Sequence, residues 1–256
     1  MAHMGQGVCI YCLSLPTMSS LTGHQSAVLN RVRAVSFDLD DTFWDCAPAI
    51  IKAEETLYQW LEKHYPAITD AHSREDMPIM RAAMYETHPH LATDVTLMRK
   101  AFLEELLQPH LNDNHTAEHA FDVFYRARSE VVLYEGTHEL LQALKNTHQL
   151  AAITNGNADL KQIGLAHYFE DIQRAAIDNP PKPSSHMFDT CCSNLGIAAN
   201  QLLHVGDNPK TDVFGAQQAG AHTVWFNQLE ARWPDELKSA DFEVRSLPEL
   251  QHLLGA

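Results

Sequence analysis

Residues 33–42 read Arg-Ala-Val-Ser-Phe-Asp-Leu-Asp-Asp-Thr, an apolar segment that ends in a group of carboxylates. The apolar part indicates a short strand buried on both faces, as the strands of a parallel sheet are. Asp38, Asp40 and Asp41 follow at its carboxyl end, where ligands bind in open α/β sheets. Crowded carboxylates repel one another unless a cation or a shared proton relieves them. The stretch therefore predicts a Mg²⁺-assisted site with one carboxylate free to attack; the alternative is a solvated turn rich in aspartate.

The composition is that of an acidic globular protein. The chain has 256 residues, 45% of them hydrophobic and 20% charged, enough for one large core or for a core domain and a smaller one. Its formal net charge of −15 argues against a nucleic acid or an anionic membrane as a partner, because clustered Lys and Arg bind phosphate groups. No apolar run approaches the ~20 residues that span a bilayer. An anionic substrate therefore needs positive charge concentrated within its pocket.

The cysteines and the N-terminal segment suggest a cytoplasmic protein. Five cysteines are an odd number that gives no disulfide framework and fits a reducing compartment. Cys9 and Cys12 form a C-x-x-C motif, but no second Cys or His pair follows at zinc-finger spacing, so a zinc or redox role is not favoured. Residues 1–30 lack the basic start and the cleavage pattern of a secretory signal, and we predict a flexible tail.

A long insertion separates the first two predicted strands. The second strand, 149–154, begins more than a hundred residues after Asp38, far beyond an ordinary βαβ crossover. Residues 46–132 have helical spacing of apolar side chains, and prolines fall between the helical segments. The predicted helices are one that starts near Asp45 and Pro48 and three at 74–86, 93–107 and 116–131. The insertion is therefore predicted to be a four-helix bundle.

Strands and helices alternate from Gly136 onward. The predicted strands are 149–154, 172–177, 202–205, 222–226 and, at an edge, 242–244. Strands that alternate with helices build a parallel, doubly wound sheet. The sequence thus predicts an α/β core formed by residues 31–45 and 133–256, interrupted by the helical bundle.

The residues that follow the predicted strands are those that phosphoryl transfer requires: a nucleophile, a proton donor and groups that neutralise charge. Asp38 is best placed to attack phosphorus and to form an aspartyl-phosphate. Asp40 gives a proton to the leaving oxygen and then takes one from water. Mg²⁺ prefers few carboxylates, so the side chains of Asp38 and Asp207 and the carbonyl oxygen of Asp40 are the predicted metal ligands.

The other motif residues are predicted to bind the phosphate group. Thr154 offers a hydroxyl, and the amides of Asn155 and Gly156 can cradle phosphate oxygens. Lys182, between two prolines, supplies the cation that an acidic site needs. Asp212 is expected to hold Lys182 or a metal-bound water. The alternative for each motif taken alone is structural: a turn, an exposed lysine or a helix cap.

These motifs resemble those of haloacid dehalogenase superfamily phosphatases over residues 32–250. The matching residues are Asp38-Leu-Asp40-Asp41-Thr42, Thr154, Lys182 and Gly206-Asp207-Asn208-Pro209-Lys-Thr-Asp212. The resemblance implies a Rossmann-like core, a mobile helical cap inserted after the first motif, and the roles assigned above to Asp38, Asp40, Thr154, Lys182 and Asp207. Within the superfamily, the motifs are similar to those of bacterial flavin-pathway phosphatases. These hydrolyse FMN and 5-amino-6-(5-phospho-D-ribitylamino)uracil.

Three other functions remain possible on the same fold. A haloacid dehalogenase keeps the nucleophile but needs neither a metal nor a proton donor, so the presence of Asp40 and Asp207 favours a phosphatase. A phosphomutase uses the same motifs with a different cap. A non-catalytic binding protein is disfavoured, because an unused carboxylate cluster destabilises its surroundings.

Substrate selection is predicted to depend on the insertion. Arg99, Tyr125 and Arg126 are candidates to project toward the core and to bind a polar part of the substrate. Trp44, just past the first motif, is a candidate to stack on a substrate ring. The alternative is that Tyr125 packs inside the bundle and that the arginines are solvated. We expect a small phosphorylated metabolite as the substrate and a monomer or a homodimer as the assembly.

Overall fold

The computed structural model describes residues 21–110 and 116–256. Cys9 and Cys12 lie outside the described residues. A first helix, α1, spans Gly23–Leu29 and begins at Thr22, whose side chain accepts a hydrogen bond from the Gln25 amide. Val28 is buried against the main apolar core. The ordered core therefore begins before residue 31, which corrects the predicted extent of the tail, because an amphipathic turn of helix covers apolar surface there.

The described residues of the inserted segment form five α-helices. They are α2 Cys46–His64, α3 Pro66–Ala71, α4 Asp76–Thr87, α5 Val95–Leu107 and α6 Thr116–Arg128. The first helix of the insertion starts directly after Asp45, near the predicted position, and the Asp45 side chain caps α2 by accepting a hydrogen bond from the Ala47 amide at 3.1 Å. The insertion has its own apolar cluster, in which Leu61, Phe102 and Phe124 are buried. The short helix α3 is additional to the four predicted helices; Pro66 starts it instead of merely separating two others.

In the described part of the chain that follows the insertion, five further α-helices and a π-helical turn surround the sheet. They are α7 Thr137–Lys145, α8 Leu160–Ile163, α9 His186–Leu195, α10 Gly215–Ala219 and α11 Leu247–Leu254, with the π-helical turn at Pro209–Phe214. No helix among residues 21–110 and 116–256 combines the length and apolar character that crossing a membrane requires.

Among the residues that the structure describes, the sheet contains six strands, and every pairing between them is parallel. The strands are β1 Ala34–Phe37, β2 Gln149–Thr154, β3 Asp171–Arg174, β4 Leu202–Gly206, β5 His222–Phe226 and β6 Phe242–Val244. Their order is β3-β2-β1-β4-β5-β6. Strands β2 and β3 lie on one side of β1, and β4, β5 and β6 lie on the other. The carboxyl end of β1 is therefore at the topological switch point of the sheet. The predicted doubly wound parallel sheet is confirmed.

Burial explains why β1 occupies the centre. Val35 and Phe37 belong to one apolar cluster and Ala34 to another, so helices cover both faces of the strand. The predicted strand 172–177 is shorter in the structure because the ladder between β2 and β3 ends with the Ala175 amide, which donates to the Thr154 carbonyl at 3.0 Å.

The two chain segments that join the sheet to the insertion are paired with each other. Trp44, just before α2, forms a bridge with Leu133, which lies after α6. The Tyr134 amide donates to the Phe43 carbonyl at 2.8 Å, and the Asp41 amide donates to the Trp44 carbonyl at 2.8 Å. The entry to the insertion and the exit from it therefore lie side by side at the carboxyl end of β1.

Candidate active site

Lys182 lies at the centre of the predicted site. Its ammonium nitrogen is 2.6 Å from Asp38 Oδ1, 2.6 Å from Asp212 Oδ1 and 2.6 Å from the Ile153 carbonyl oxygen. Asp38, Asp212 and Lys182 are all buried. The Asp38 amide donates to the Val205 carbonyl at 2.9 Å, which continues the pairing of β1 with β4. This hydrogen bond fixes the backbone position from which the Asp38 side chain extends. Three residues far apart in the sequence thus form one buried charged group.

Asn155 holds the loop that carries Lys182. Its side-chain oxygen accepts from the Lys182 amide at 2.8 Å, and its side-chain nitrogen donates to the Lys182 carbonyl at 2.9 Å. These two hydrogen bonds resemble the pair that two residues of neighbouring strands form. They fix the position of the Lys182 backbone relative to the end of β2. The side chain of Asn155 is therefore a support for Lys182, a contribution separate from the amide contact predicted for it.

The side chain of Asp212 packs directly against Gly206. A Cβ on Gly206 would lie 2.4 Å from the carboxyl carbon of Asp212, so no larger residue fits there without displacing this side chain. The Asn208 amide donates to Asp212 Oδ2 at 2.9 Å, which leaves Oδ1 to face Lys182. Asp212 thus contacts Lys182, which is one of the two roles expected for it.

Thr154 and Gly156 adjoin the proton-transfer candidate. The Gly156 amide donates to the Thr154 hydroxyl oxygen at 2.9 Å. A Cβ on Gly156 would lie 2.3 Å from Asp40 Oδ2 and 3.3 Å from the Thr154 hydroxyl oxygen. One carboxylate oxygen of Asp40 therefore lies directly beside the residues predicted to bind phosphate.

Trp44 contacts Asp40 from inside the protein. The indole ring is fully buried in the main core, and its Nε1 donates to Asp40 Oδ1 at 2.8 Å. The predicted stacking of Trp44 on a substrate ring is therefore wrong, because neither face of the ring is open. The large apolar surface of the side chain favours the core, and the single polar atom finds its partner in Asp40.

Arg99 is also absent from the site. Its guanidinium donates to both carboxylate oxygens of Glu54, at 2.8 and 3.3 Å, and lies 3.4 Å from the ring centroid of Phe124. Burial lowers the pKa of Arg99 to about 10, although Glu54 opposes this shift. The predicted substrate contact by Arg99 is wrong: the side chain is committed to packing inside the insertion.

The other two candidates, Tyr125 and Arg126, lie on α6, and the half-buried Tyr125 lines a cavity together with Asp159 and Arg174 of the α/β core. The ring of Tyr125 stacks on that of Phe121 with the centroids 5.4 Å apart. Arg126 is exposed to solvent. Among the described residues, no hydrogen bond or ion pair joins either side chain to Lys182, Asp38 or Asp212.

The charges around Lys182 depend on one another. Burial disfavours the charged form of Lys182, but Asp212 and Asp38 outweigh this and raise its pKa above the usual value. Burial likewise tends to raise the pKa of Asp212, yet Lys182 and His204 hold it well below its ordinary range. For Asp38, burial prevails over the attraction of Lys182, so its pKa is raised. The site thus contains a protonated lysine, an ionised Asp212 and a nucleophile candidate in need of further positive charge.

A divalent cation fits this requirement. Asp38, Asp207 and Asp212 each offer a carboxylate oxygen, and these atoms lie within 4.8 Å of one another. Burial, assisted by the charges of Asp212 and Asp41, raises the pKa of Asp207 to about 7. Hard carboxylate oxygens at this spacing are the donors that Mg²⁺ accepts. The donor set and its shortage of positive charge both match the predicted metal.

Two residues around the site were not predicted from the sequence. His204, within β4, pairs its Nδ1 with the Ser36 hydroxyl at 2.9 Å and brings its Nε2 to 3.6 Å from Asp212. Arg128, at the end of α6, is buried and pairs with Asp40 at 2.5 Å. The sequence does contain a pattern that could have indicated His204. Ser36 and His204 are polar residues inside two otherwise apolar strands, two residues before Asp38 and three residues before Asp207 respectively. No sequence pattern indicated Arg128, because its partner Asp40 is 88 residues away in the sequence.

The fold and the site together define a Rossmann-like α/β enzyme with a helical insertion after its first strand. The family model described as haloacid dehalogenase-like hydrolase matches residues 32–220, and the chain therefore belongs to this family.

Named relatives cover almost the whole chain. The 5-amino-6-(5-phospho-D-ribitylamino)uracil phosphatase YigB of Escherichia coli (strain K12) is 34% identical over 234 residues, which are 88% of this chain and 98% of that protein. The N-acylneuraminate-9-phosphatase of Rattus norvegicus is 28% identical, with 88% of this chain and 95% of that protein covered. Together with the family, these phosphatases identify the chain as a phosphoric monoester hydrolase.

One similar solved structure has a different name. The crystal structure of a 2-haloacid dehalogenase from Pseudomonas syringae pv. Tomato DC3000 has a TM-score of 0.80 and 32% sequence identity, and the match covers 88% of this chain and 98% of that one. The fold is thus shared by solved proteins named as dehalogenases and by one or more named as phosphatases.

Proposed function

We propose that the protein hydrolyses a small phosphate monoester with the help of Mg²⁺, through an aspartyl-phosphate formed on Asp38. The observation that carries the proposal is the buried group at the end of β1, in which Lys182 lies 2.6 Å from Asp38 and 2.6 Å from Asp212. A cation at this distance neutralises the phosphate oxygens that the attacking carboxylate must approach.

In the first half of the reaction, a carboxylate oxygen of Asp38 attacks phosphorus and forms the aspartyl-phosphate as the bond to the leaving oxygen breaks. Asp40 gives its proton to that oxygen, so that an alcohol leaves. The Thr154 hydroxyl and the amides of Asn155 and Gly156 hold the oxygens of the transferred group. Lys182 balances their negative charge.

In the second half, water replaces the alcohol. Asp40, now ionised, takes a proton from this water, whose oxygen attacks the phosphorus of the aspartyl-phosphate. The bond from phosphorus to Asp38 breaks and inorganic phosphate leaves. Asp38 returns to its carboxylate form, and Asp40 is again protonated, now with the proton taken from water.

The residues that would hold Mg²⁺ are Asp38 and Asp207 through their side chains and Asp40 through its carbonyl oxygen. When bound, the metal supplies positive charge that offsets the repulsion between the carboxylates and the phosphate group. Asp212 belongs to the same cluster, and its contact with Lys182 keeps the lysine beside Asp38.

For the substrate, we favour the phosphoribitylamino-pyrimidine of riboflavin synthesis, with FMN as a second flavin-pathway candidate. Support comes from the 34% identity with the E. coli phosphatase of that name. The core motifs also resemble those of flavin-pathway phosphatases. A haloacid dehalogenase remains the second candidate function, favoured by the structural similarity to the Pseudomonas syringae protein.

The proposal is tested with phosphorylated metabolites that include both flavin-pathway compounds, pyridoxal phosphate, sugar phosphates and nucleotides. With Mg²⁺, we expect phosphate release from at least one of them and none after EDTA treatment. Asp38→Asn should abolish turnover, because an amide oxygen is a poor nucleophile. Asp45→Asn is the matched control: it makes the same chemical change at the cap of α2, where Asn caps equally well.

Two outcomes would contradict the proposal. One is an Asp38→Asn variant that hydrolyses phosphate esters at the normal rate, which would exclude the aspartyl-phosphate. The other is halide release from a 2-halo acid that is unaffected by EDTA, with no phosphate released from any ester. That second outcome would support the dehalogenase.

A further inference from the structure

The carboxylate of Asp40 is held in one orientation by two donors on the same oxygen. Trp44 Nε1 donates to Oδ1 at 2.8 Å and Arg128 Nη2 donates to Oδ1 at 2.5 Å. The other oxygen, Oδ2, lies above Gly156, where a Cβ would come within 2.3 Å of it. One oxygen is therefore anchored and the other faces the residues predicted to bind phosphate.

The two donors belong to the two chain segments that join the sheet to the insertion. Trp44 immediately precedes the cap residue of α2, and Arg128 is the last residue of α6. These segments are paired through the bridge between Trp44 and Leu133. Both connections to the helical insertion thus meet at a single oxygen of Asp40.

Arg128 depends on Asp40 for its charge partner. The guanidinium is 2% exposed, and Asp40 is the carboxylate that it pairs with among the described residues. Its further contact is with the Cys46 sulfur at 3.8 Å. Arg99, by contrast, is paired with Glu54 inside the insertion. A buried guanidinium needs an ionic partner, so Arg128 ties the end of α6 to a carboxylate that belongs to the sheet.

We propose that Arg128 is a positioning residue for proton transfer by Asp40, and that it links the orientation of Asp40 to the placement of the helical insertion. This inference rests on the function proposed above. Arg128 fixes Oδ1, so that Oδ2 carries the proton toward the leaving oxygen. Because Arg128 is part of α6, a displacement of the insertion also displaces the guanidinium that donates to Asp40 Oδ1.

A purely structural ion pair is the competing explanation, and the leaving group distinguishes the two. The alkoxide that leaves an alkyl phosphate must be protonated, whereas p-nitrophenolate is stable as an anion. Loss of positioning should therefore slow the first step for an alkyl ester far more than for p-nitrophenyl phosphate. Loss of structural support alone should slow both equally.

The experiment compares Arg128→Lys and Arg128→Met with the wild type in single turnovers, with enzyme in excess and Mg²⁺ present. We expect alcohol release from the best alkyl phosphate to slow about 10- to 100-fold in Arg128→Met and less in Arg128→Lys. Release of p-nitrophenolate should change less than about threefold, with KM little altered. Lys52→Met is the matched control, because it removes an exposed ion pair with Glu130 beside the same segments, and it should leave both rates unchanged.

A second readout does not depend on activity. The Trp44 indole N–H shares Oδ1 with Arg128, so its proton NMR resonance should move in Arg128→Met and stay in place in Lys52→Met. Equal slowing of both esters, or an unmoved indole resonance, would overturn the inference. A wild type inactive on both esters with Mg²⁺ would instead refute the proposed function, and the two failures are therefore distinguishable.

Discussion

Gly156 is required by the close approach of a carboxylate. A Cβ at this position would lie 2.3 Å from Asp40 Oδ2, so Gly156→Ala must push Asp40 away from the phosphate-binding residues. We expect kcat to fall at least about tenfold, in line with the loss of a positioned proton donor. The melting temperature should fall as well, because the displaced carboxylate also partners the buried Arg128. Steady-state kinetics and a thermal melt measure the two effects.

Gly164 provides the control for this substitution. Its φ of +88° disfavours any side chain, yet nothing lies within 4 Å of the Cβ that Ala would add. Gly164→Ala should therefore lose about 1 kcal/mol of stability through backbone strain and keep its kcat. If Gly156→Ala were as active as the wild type, Asp40 would not be working from the observed position.

At the level of single residues, the sequence groups side chains that follow strands, and Asp38 and Lys182 do lie together in the structure. Asp38 and Lys182 could be grouped because parallel strands bring their carboxyl ends to one edge. Trp44 and Arg99 were misplaced for a common reason: a pattern shows which residues share a face, but not which partner that face meets. The partner of Arg99 is Glu54, on a different helix and 45 residues away.

Among the elements, helix α2 depends on a buried charge pair for its packing. Glu54 accepts hydrogen bonds from both Arg99 and Arg81, while the neighbouring Glu55 pairs with Arg74 in a half-exposed contact. Glu54→Gln should lower the free energy of unfolding by about 3 kcal/mol, because it leaves a buried guanidinium without its counter-charge. Glu55→Gln should cost less than about 1 kcal/mol. Urea denaturation of both variants tests this; equal losses would contradict it.

The same pair gives a pH dependence. Burial tends to raise the pKa of Glu54, but Arg99 and Arg81 outweigh this and hold it below the ordinary value of 4.5. A lowered pKa in the folded state contributes stability above the ordinary pKa, and this is lost as the pH falls through the lowered one. The difference in unfolding free energy between the wild type and Glu54→Gln should therefore be constant near neutrality and shrink below about pH 4.5.

Most elements could be predicted because their patterns are long or strongly apolar. The six-strand α/β core and the position of the helical insertion follow from β1, the long interval before β2 and the alternation afterwards. Short elements could not be predicted so well. The helix α3 has six residues, and α1 lies in a segment that we predicted to be a flexible tail; packing against the rest of the protein decides such elements, not their intrinsic propensity.

For the whole molecule, the notable contrast is between an acidic chain and an anionic substrate. The net charge of −15 opposes any phosphate ester at long range. Near the site, Lys182 offsets only part of the charge of Asp38, Asp207 and Asp212. The proposed Mg²⁺ would supply the missing positive charge. Its binding should therefore raise the stability of the folded protein even when no substrate is present.

We therefore expect Mg²⁺ at ten times its Kd to stabilise the protein by about 1.4 kcal/mol and to raise Tm by about 3–5 °C. Asp207→Asn should lose most of this shift, because it removes a carboxylate from the cluster. Asp189→Asn, which changes an exposed carboxylate on α9, should keep it. A chain with this net charge is also stabilised by screening alone, so NaCl at matched ionic strength is the necessary reference. If NaCl reproduced the whole shift, or if Asp207→Asn retained it, the carboxylate cluster would not be a magnesium site.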